Sequence, residues 1–299
     1  MIYTVTFNPA IDHVVHLPVL KAGEVNRASS DGIVFGGKGI NVSVMLARLG
    51  IKSTALGFVA GFTGDALEAG VRAMGVDTDL IHLKTGLTRI NVKIHSDTET
   101  EINCSGPDID SRALDALYQK TDGLLTGDTL VIAGSIPKSL PQDTYEKLLS
   151  RIADKGIRIA ADAEGKLLTD VLRFRPYVIK PNIHELSDIF GRELTTTEET
   201  AECAAELKRR GAQNVLVSMG GSGAFLLDEN GKTHFRSSFR GTVINSVGAG
   251  DSMLAGFLAG AEKGYDEALL LGSACGSATA FSEGLGDREL IDELLRSAE

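Results

Sequence analysis

The sequence predicts an α/β fold in which a mostly parallel sheet is covered by helices on both faces. Short apolar runs, typical of buried strands, alternate with segments whose apolar residues recur every three or four positions, as in amphipathic helices. The alternation covers most of the 299 residues, and no linker or internal repeat interrupts it. Strands that alternate with helices pair in parallel, so one large α/β domain over residues 1–299 is expected.

The composition excludes several classes of protein. A hydrophobic content of 43% supplies a large core and excludes a disordered chain. The net charge of −10 argues against a nucleic-acid partner, which needs a basic surface. Cys104, Cys203 and Cys275 lie far apart, which disfavours zinc and disulfides and suits a reducing cytosol. Since no signal peptide or apolar run of about 18 residues is present, we expect a cytoplasmic protein with no membrane partner.

The pattern assigns most elements in chain order. A buried strand is predicted at residues 2–7, an irregular segment at 13–35, and a helix that opens within residues 35–41. Further strands are predicted at 53–59, 130–133, 157–161, 177–179, 215–218 and 224–227. Further helices are predicted near 65–74, 249–262, 266–282 and 287–298, and a capping box at Thr196 and Glu199 begins another.

Residues 88–104 show a different pattern of apolar and polar residues. Apolar and polar residues alternate strictly up to a polar turn at 96–98, and a short second strand runs to residue 104. This pattern predicts an antiparallel hairpin in a small separate sheet. Arg89, Asn91 and Lys93 share its polar face, which in most proteins is simply solvated. If the hairpin covers a site, Arg89 could instead hold a phosphate bidentately.

A glycine-rich helix start near the end of the chain is the main candidate site. Gly248, Ala249, Gly250 and Asp251 open the predicted helix at 249–262. Unpaired N–H groups and the helix dipole make such a start an anion site, and phosphate is its usual ligand. A carboxylate beside phosphate is unfavourable unless it meets a hydroxyl that attacks that phosphate. The alternative is that Asp251 only caps the helix.

Two common nucleotide motifs are absent. Lys38 is followed by Gly39 rather than by Ser or Thr, so no Walker A loop is present. The glycines at 248–250 do not continue as a dinucleotide fingerprint and lie near the end of the chain. A P-loop NTPase and a Rossmann dehydrogenase are therefore not expected.

Three further segments combine glycine or polar residues with an element boundary. Gly36 to Asn41 is either a tight turn or a ligand site, with Gly37, Lys38 and Asn41 touching hydroxyls or phosphate. Asn182 and Glu185 are either a helix cap or the holders of a hydrated Mg²⁺. The run from Ser218 to Gly223 is either a plain loop or a backbone wall for a nucleotide. Asp12, Ser135, Asn182 and Gly220 each follow a predicted strand, where α/β folds bind ligands.

Together these segments resemble the ribokinase-like sugar kinases, specifically the phosphofructokinase B family. Gly248–Asp251 matches its late signature, Gly36–Asn41 its early signature, and Asn182 to Glu185 its Asn-x-x-Glu element. The usual Asp-Thr before the late signature is here Asn245-Ser246. The resemblance implies a three-layer α/β/α sandwich with a small β-sheet lid, formed by residues of about 12–35 and 86–106. It also implies a homodimer through the lid sheet.

Within the family, residues 8–12, 88–93 and 134–137 resemble the branch that acts on phosphorylated ketohexoses, which includes 1-phosphofructokinases and tagatose-6-phosphate kinases. The resemblance implies ATP-dependent phosphorylation of fructose 1-phosphate at its 6-hydroxyl, with Mg²⁺ and, as an optional addition, a monovalent cation such as K⁺. Tagatose 6-phosphate, or an unphosphorylated sugar or nucleoside, is the alternative substrate. A sugar-phosphate-binding regulator without catalysis is the alternative outside enzymes.

The resemblance also assigns roles to single residues. Asp251 is the expected base, and Gly248, Ala249 and Gly250 frame the migrating phosphoryl group. The residues expected to bind the sugar phosphate are Asp12, Gly37, Lys38, Asn41, Arg89, Ser105, Gly106 and Ser135. The residues expected to bind ATP are Lys180, Asn182, Ser218, Gly220, Gly221 and Gly223. Glu185 is expected to hold Mg²⁺ through water.

Overall fold

The computed structural model describes residues 1–163 and 165–298. Its strands, in chain order, are β1 (Ile2–Thr6), β2 (Ala10–His16), β3 (Ser30–Gly36), β4 (Ser53–Ala60), β5 (Asp77–Thr78), β6 (Ile81–Leu83), β7 (Arg89–His95), β8 (Thr100–Ile102), β9 (Thr129–Ala133), β10 (Arg158–Asp162), β11 (Val178–Ile179), β12 (Asn214–Ser218), β13 (Ala224–Leu227) and β14 (Thr233–Arg236). Its α-helices are α1 (Lys38–Arg48), α2 (Gly61–Ala73), α3 (Ser111–Asp122), α4 (Thr144–Ile152), α5 (Lys166–Val171), α6 (Ile183–Phe190), α7 (Thr197–Arg209), α8 (Ala249–Gly260), α9 (Tyr265–Ala280) and α10 (Arg288–Arg296).

The large sheet has the order β14-β13-β12-β11-β10-β9-β1-β4-β5, and β6 pairs with β4. Its strands from β12 to β5 run in parallel. The β12–β13 and β13–β14 pairs at the other edge are antiparallel. Because parallel strands end along one edge, the residues that follow β1, β9, β10, β11 and β12 lie side by side. The predicted mostly parallel sheet is confirmed.

The three layers follow from alternation along the strands. In β9, Leu130 and Ile132 belong to a core cluster that contains residues of α3 to α7. Val131 and Ala133 belong to a second cluster, which contains residues of α1, α8, α9 and α10. Successive side chains of a strand point to opposite faces, so the sheet is covered on both. Apolar runs rather than alternating patterns are therefore expected in its strands, as the sequence shows.

The small sheet has the order β3-β2-β7-β8. The predicted hairpin at 88–104 is confirmed as the antiparallel pair β7–β8, although β8 ends at Ile102. The prediction that residues 13–35 are irregular was wrong, since β2 and β3 pair there in antiparallel. The placement of Asp12 after the first strand was also wrong, because Asp12 lies within β2. Both errors have one cause: β2 and β3 carry polar residues, among them Asp12 and Asp31, and these mask the strand pattern.

Several boundaries differ from the prediction. Helix α2 begins at Gly61 rather than near residue 65, and strands β5, β6 and β14 were not predicted. These three strands are at most four residues long, too short for an alternating pattern to register. The Thr196 capping box is confirmed, with the Thr196 hydroxyl accepting from the Glu199 N–H. Within residues 1–163 and 165–298, no helix is both long and apolar enough to cross a lipid bilayer.

Candidate active site

The first turn of α8 holds Asp251 at the carboxyl edge of the large sheet. Gly248 precedes the helix with a φ of 79°, a left-handed conformation that favours glycine. The Ala249 N–H donates to the Ser246 carbonyl at 3.2 Å, whereas the N–H groups of Gly250 and Asp251 have no acceptor within the helix. This turn therefore presents two free-standing donors at the positive end of the helix dipole.

The Asp251 carboxylate is buried among both charged and neutral groups. Its exposed fraction is 5%, and Asn41 Nδ2 donates to its Oδ2 at 2.8 Å. Burial and the nearby Asp162 carboxylate raise the pKa of Asp251 to about 7, against the opposing effects of Asn41, Lys180 and Lys38. An aspartate with a pKa near neutrality is a much better general base than a free one, whose pKa is about 3.9.

Asp162, the last residue of β10, was not predicted from the sequence. Its carboxylate is 2% exposed, and it lies 3.2 Å from Lys180 Nζ and 3.7 Å from Lys38 Nζ. It therefore holds two lysine ammonium groups beside Asp251. The signal that could have revealed it was present, because Asp162 ends a strand at the same edge as Lys180 and Ser135.

Lys180 lies against the start of α8. It is 4% exposed, and a Cβ at residue 250 would stand 2.9 Å from its Nζ. Gly250 therefore leaves space that brings the ammonium group to the first turn of the helix. A buried lysine between Asp162 and a phosphate-binding helix start can hold a phosphate without losing its own partner.

Lys38 and Asn41 are brought to the same point by α1. Gly37 precedes this helix with a φ of 130°, and a Cβ there would lie 2.7 Å from Thr6 Cγ2. The Ile40 N–H donates to the Thr6 hydroxyl at 3.1 Å. Glycine at 37 thus lets the helix start pack directly on the end of β1, which places Lys38 and Asn41 next to Asp162 and Asp251.

Asp12 joins the small sheet to this cluster. Its Oδ1 accepts from Asn91 Nδ2 at 2.7 Å, and a Cβ at Gly36 would lie 3.6 Å from its Oδ2 and 3.7 Å from Asn41 Oδ1. Asn91 is buried, and its Oδ1 accepts from the Cys104 N–H at 3.1 Å. Asn91, on the polar face of β7, therefore points toward Asp12 rather than to solvent. The interpretation that this face is simply solvated does not hold for Asn91.

Arg89 has hydrogen-bonding capacity that the protein does not use. Its Nη1 makes one long contact of 3.5 Å with the Cys104 carbonyl. Its Nε is buried, with no hydrogen-bond partner in the described part of the chain. Burial lowers the pKa of Arg89, while Asp12 and Cys104 act in the opposite direction. A buried guanidinium donor without a partner is costly, so this position suits an anionic ligand.

The other predicted sugar-site residues lie on adjoining loops. Asn8 Nδ2 donates to the Ser105 carbonyl at 2.9 Å, and a Cβ at Gly106 would lie 2.3 Å from Asn8 Oδ1. Ser135 follows Gly134, where a Cβ would stand 3.9 Å from Lys38 Cβ. Ser105 and Gly106 therefore contact Asn8 in the loop after β1, and Ser135 follows a glycine that lies beside Lys38.

Asn182 and Glu185 form a reciprocal helix cap at the start of α6. Asn182 Oδ1 accepts from the Glu185 N–H at 2.8 Å, and Glu185 Oε2 accepts from the Asn182 N–H at 2.7 Å. The capping interpretation is thus correct for one oxygen of each side chain. Glu185 Oε1 and Asn182 Nδ2 lie outside this pair of bonds.

The glycine run after β12 lies furthest from Asp251. Ser218 forms an isolated parallel bridge with Asn182, which links this run to the start of α6. Gly220 and Gly221 lie in an exposed 3₁₀ turn, and a Cβ at either would meet no atom within 4 Å. The run is accordingly an open backbone surface next to Asn182, without direct contact to the Asp251 cluster.

A cleft with a cavity volume of about 100 Å³ separates the small sheet from the loops that precede α8 and α10. Asp12, Gly36, Asn41 and Lys93 line it, opposite Asn245 and Val247 of the loop before α8. Asn41 both lines this cleft and donates to Asp251. A ligand in the cleft can therefore reach the base through the end of the small sheet.

A three-layer α/β fold, a buried aspartate at a glycine-initiated helix start and two adjoining lysines are features of a phosphotransferase that acts on an alcohol. The chain belongs to the pfkB family of carbohydrate kinases, whose sequence profile matches residues 5–291. Both the predicted family and the predicted fold class are confirmed.

Individual relatives cover the chain almost completely. It is 46% identical to a 1-phosphofructokinase of Bacillus subtilis, over 99% of this chain and 97% of the relative. It is 40% identical to a D-tagatose-1-phosphate kinase of Bacillus licheniformis, over 98% and 97%. The fold matches Escherichia coli phosphofructokinase-2 in complex with fructose-6-phosphate, with a TM-score of 0.91 and 28% identity over 99% and 98%. That E. coli enzyme is also known in complex with potassium and as a tetrameric inhibited form, with TM-scores of 0.91 and 0.90 over the same shares at 28% identity.

Proposed function

We propose that this kinase transfers the terminal phosphoryl group of ATP to the 6-hydroxyl of fructose 1-phosphate, giving fructose 1,6-bisphosphate and ADP. The observation that carries the proposal is the Asp251 cluster, which joins a base of raised pKa, two lysines and a helix start. The name of the 46% identical relative supports the choice of sugar phosphate. A cytoplasmic location accompanies this proposal, since Cys104, Cys203 and Cys275 are all unpaired thiols.

Asp251 accepts the proton of the attacking 6-hydroxyl. At neutral pH a group with a pKa near 7 is partly ionised, so it can take a proton without being permanently blocked. The N–H groups of Gly250 and Asp251, together with Lys180, stabilise negative charge on the phosphoryl oxygens. Positioning and charge neutralisation supply most of the rate in phosphoryl transfer, and a dense cluster of this kind provides both.

ATP is held along the carboxyl edge from Lys180 to the Ser218–Gly223 run. Gly220 and Gly221 leave an open backbone surface there, which suits a flat nucleotide. When bound, Mg²⁺ would neutralise charge on the nucleotide phosphates. No group of three His, Cys, Asp or Glu side chains that could hold a metal ion occurs in residues 1–163 and 165–298. Glu185 fits a water-mediated role, because the cap bond occupies its Oε2 and leaves Oε1 for a hydrated ion.

A monovalent cation fits the same end of the molecule less directly. The loop before α8 is anchored to the loop before α10 by Asn245, whose Nδ2 donates to the Glu283 carbonyl at 3.0 Å. Asn245 Oδ1 accepts from the Val247 N–H at 2.9 Å, so both ends of this amide are engaged. A K⁺ ion bound here would be held by backbone carbonyls rather than by the residue 245 side chain.

The sugar phosphate occupies the cleft between the small sheet and α1. Asp12, Gly37, Lys38 and Asn41 bind its hydroxyls, and the unused Arg89 donors bind the 1-phosphate, with Ser105, Gly106 and Ser135 on the adjoining loops. The small sheet then acts as a lid over the sugar, assembled from residues of about 12–35 and 86–106. Its closure excludes water, which would otherwise accept the phosphoryl group.

A substrate panel tests the reaction. ADP release should be measured by a coupled assay with fructose 1-phosphate, tagatose 1-phosphate, tagatose 6-phosphate, fructose 6-phosphate, ribose and adenosine. We expect the highest kcat/KM with fructose 1-phosphate. A higher value with tagatose 1-phosphate would favour the second candidate, which the 40% identical relative supports. Absence of ADP release with every sugar would leave only a sugar-phosphate-binding regulator.

Replacing Arg89 tests the position of the 1-phosphate. Arg89→Gln should raise KM for fructose 1-phosphate by about 10- to 100-fold, the value of one charge-assisted contact, with little change in KM for ATP. Lys84→Gln, on the loop before β7, is the control for loss of one positive charge. If Arg89→Gln changes only KM for ATP, Arg89 belongs to the nucleotide half of the site.

We also propose that two chains associate through the outer face of the small sheet. Ile33, His13, Val92 and Ile102 are paired in register across all four strands and therefore form one row. Ile33 and Ile102, at the two ends of this row, are each 53% exposed, and Ile90 lies two residues further along on the same face. An exposed apolar row on a sheet is a typical site for a second copy.

Light scattering after size exclusion tests this association. Ile33→Asp should convert a dimer to a monomer, because it places a charge where an exposed apolar side chain would be buried. Leu125→Asp is the matched control, since Leu125 is also exposed but lies in a loop outside the small sheet. A wild-type monomer, or an equal effect of both substitutions, would contradict the proposed interface.

A further inference from the structure

A second concave site lies at the opposite edge of the large sheet from Asp251. It is formed by the segments that precede β11 and β12, the end of α7 and the β13–β14 turn, and it encloses about 1180 Å³ of open space. Five of its lining side chains are cationic, namely Arg173, Arg175, Lys208, Arg209 and Arg210. The protein as a whole carries a net charge of −10, so this concentration of positive charge departs from the rest of its surface.

The positive charges exceed the negative charges that face them. Arg173 pairs with Glu146, while Arg209 and Arg210 share the single carboxylate of Glu206. The only acidic side chain of the lining is Glu229. The carboxyl end of α7 adds roughly half a unit of negative charge. The five cations are therefore not fully neutralised, although ordinary helix-end pairing accounts for part of them.

Two of the five cations have no carboxylate partner. Lys208 Nζ donates to the backbone carbonyls of Glu229 at 2.8 Å and Gln213 at 3.1 Å. These contacts fix the ammonium group without neutralising it. Within residues 1–163 and 165–298, neither Lys208 nor Arg175 forms an ion pair with a carboxylate. Both charges are thus available to an anion.

The backbone of Arg175 is held in an uncommon conformation. Its φ of 51° is the only positive value at a non-glycine residue in the described chain. The Arg175 N–H donates to the Leu172 carbonyl and Gln213 Nε2 donates to the Arg175 carbonyl, both at 2.9 Å. A left-handed conformation is disfavoured for arginine relative to glycine, so Arg175 is held here against its backbone preference.

We propose that this concavity binds a small anion that carries several phosphate charges, separately from the kinase centre. Arginine forks bind phosphate oxygens bidentately, and a rigid backbone at Arg175 reduces the entropy lost on binding. The nearby rings of Phe174 and Phe190 lie under Arg173 and Arg210, at 4.8 and 5.4 Å from the guanidinium carbons. Since those ring faces are occupied, the site recognises a phosphate chain rather than a nucleobase.

Isothermal titration with sodium tripolyphosphate at low ionic strength tests the proposal. Arg175→Gly is the informative variant, because glycine suits the left-handed backbone and the fold should be at least as stable as the wild type. We expect it to weaken binding at least tenfold, the value of one charge-assisted fork. Arg112→Gln, an exposed charge loss on α3, should weaken binding less than twofold. ADP release by Arg175→Gly without tripolyphosphate should match the wild type.

Binding at the kinase centre is separated from binding at this site by Lys180→Met. If Lys180→Met abolishes tripolyphosphate binding while Arg175→Gly leaves it unchanged, the anion occupies only the kinase centre and the proposal is wrong. Equal losses in Arg175→Gly and Arg112→Gln would mean non-specific attraction, which also overturns it. If Arg175→Gly proves unstable, Arg175→Asn, whose side chain tolerates the same backbone, replaces it.

Discussion

Two charge clusters at different places in the fold, each built on a buried carboxylate, shift the pKa of that carboxylate in opposite directions. One surrounds Asp251, and the other consists of His234 on β14 with Asp228 and Asp266. His234 Nε2 lies 3.0 Å from Asp228 Oδ2, and its Nδ1 lies 2.6 Å from Asp266 Oδ1. His234 therefore lies between two carboxylates, one buried and one largely exposed.

The difference between the clusters lies in how completely each carboxylate is satisfied. Burial alone would raise the pKa of Asp228, yet hydrogen bonds from His234 and from the Lys232 and Asn230 N–H groups lower it overall. Asp251 is comparably buried but receives one neutral donor, from Asn41, and faces Asp162. A saturated carboxylate stabilises the fold, whereas an incompletely satisfied one keeps a lone pair for a substrate.

The largest expected effect is on turnover when Asp251 is replaced. Asp251→Asn should lower kcat by about 10³-fold or more, because the amide cannot accept the hydroxyl proton, while the Kd for ATP changes little. Coupled ADP release and nucleotide titration measure the two quantities. Because the folded-state pKa of Asp251 is raised, its contribution to folding stability is present below the pKa of the unfolded state. That contribution is lost as pH rises through about 7. At pH 8 the Asp251→Asn variant should therefore unfold at a higher temperature than the wild type. A near-normal kcat in this variant would contradict the assignment of Asp251 as the base.

The matched change in the other cluster should affect stability alone. Asp228→Asn leaves the buried His234 with one carboxylate partner and should lower the free energy of unfolding by about 3 kcal/mol, with kcat unchanged at 20 °C or below. Because the folded-state pKa of Asp228 is lowered, its contribution to folding stability is present above the pKa of the unfolded state. That contribution is lost as pH falls through the pKa of the folded state. Denaturant unfolding at pH 7 and pH 3 should show a smaller difference between variant and wild type at pH 3. A loss of kcat in Asp228→Asn without a loss of stability would contradict the proposed difference between the two clusters.

The smallest expected effect is a shift in pH dependence. For the wild type, kcat/KM should rise with pH and level off above an apparent pKa near 7, as Asp251 loses its proton. Asp162→Asn removes the like charge and should move this value down by about one unit. Asp115→Asn, an exposed charge loss on α3, is the control. If Asp162→Asn lowers kcat without moving the profile, Asp162 acts only by holding Lys38 and Lys180.

The sequence predicts the parallel core well, because its strands are buried on both faces and their apolar runs need no knowledge of tertiary structure. The prediction from sequence fails for β2 and β3, because Asp12 and Asp31 interrupt their apolar pattern. These strands are defined by pairing, since β2 pairs with both β3 and β7. Such strands are set by partners distant in sequence, so local pattern cannot reveal them.

The candidate site follows the same division. Asp251, Lys38 and Asn41 stand in glycine-rich helix starts that a sequence displays openly, and the structure brings them together. Asp162 has no such setting; the sequence marks it only as a strand end, and its role emerges from the two lysines that converge on it. For Asn182 and Glu185 the residue types allow a cap, and the hydrogen-bond geometry shows that the cap forms.

Only one residue separates the small sheet from α1, since β3 ends at Gly36 and the helix begins at Lys38. Any rotation of the small sheet against the body must, at this connection, be absorbed at Gly37. Lys38 and Asn41 lie beyond this residue on α1, so both side chains would stay with the body while the sheet turns. Movement of the sheet would then leave the charged side chains around Asp251 in place, and stiffening position 37 would slow that movement without displacing them.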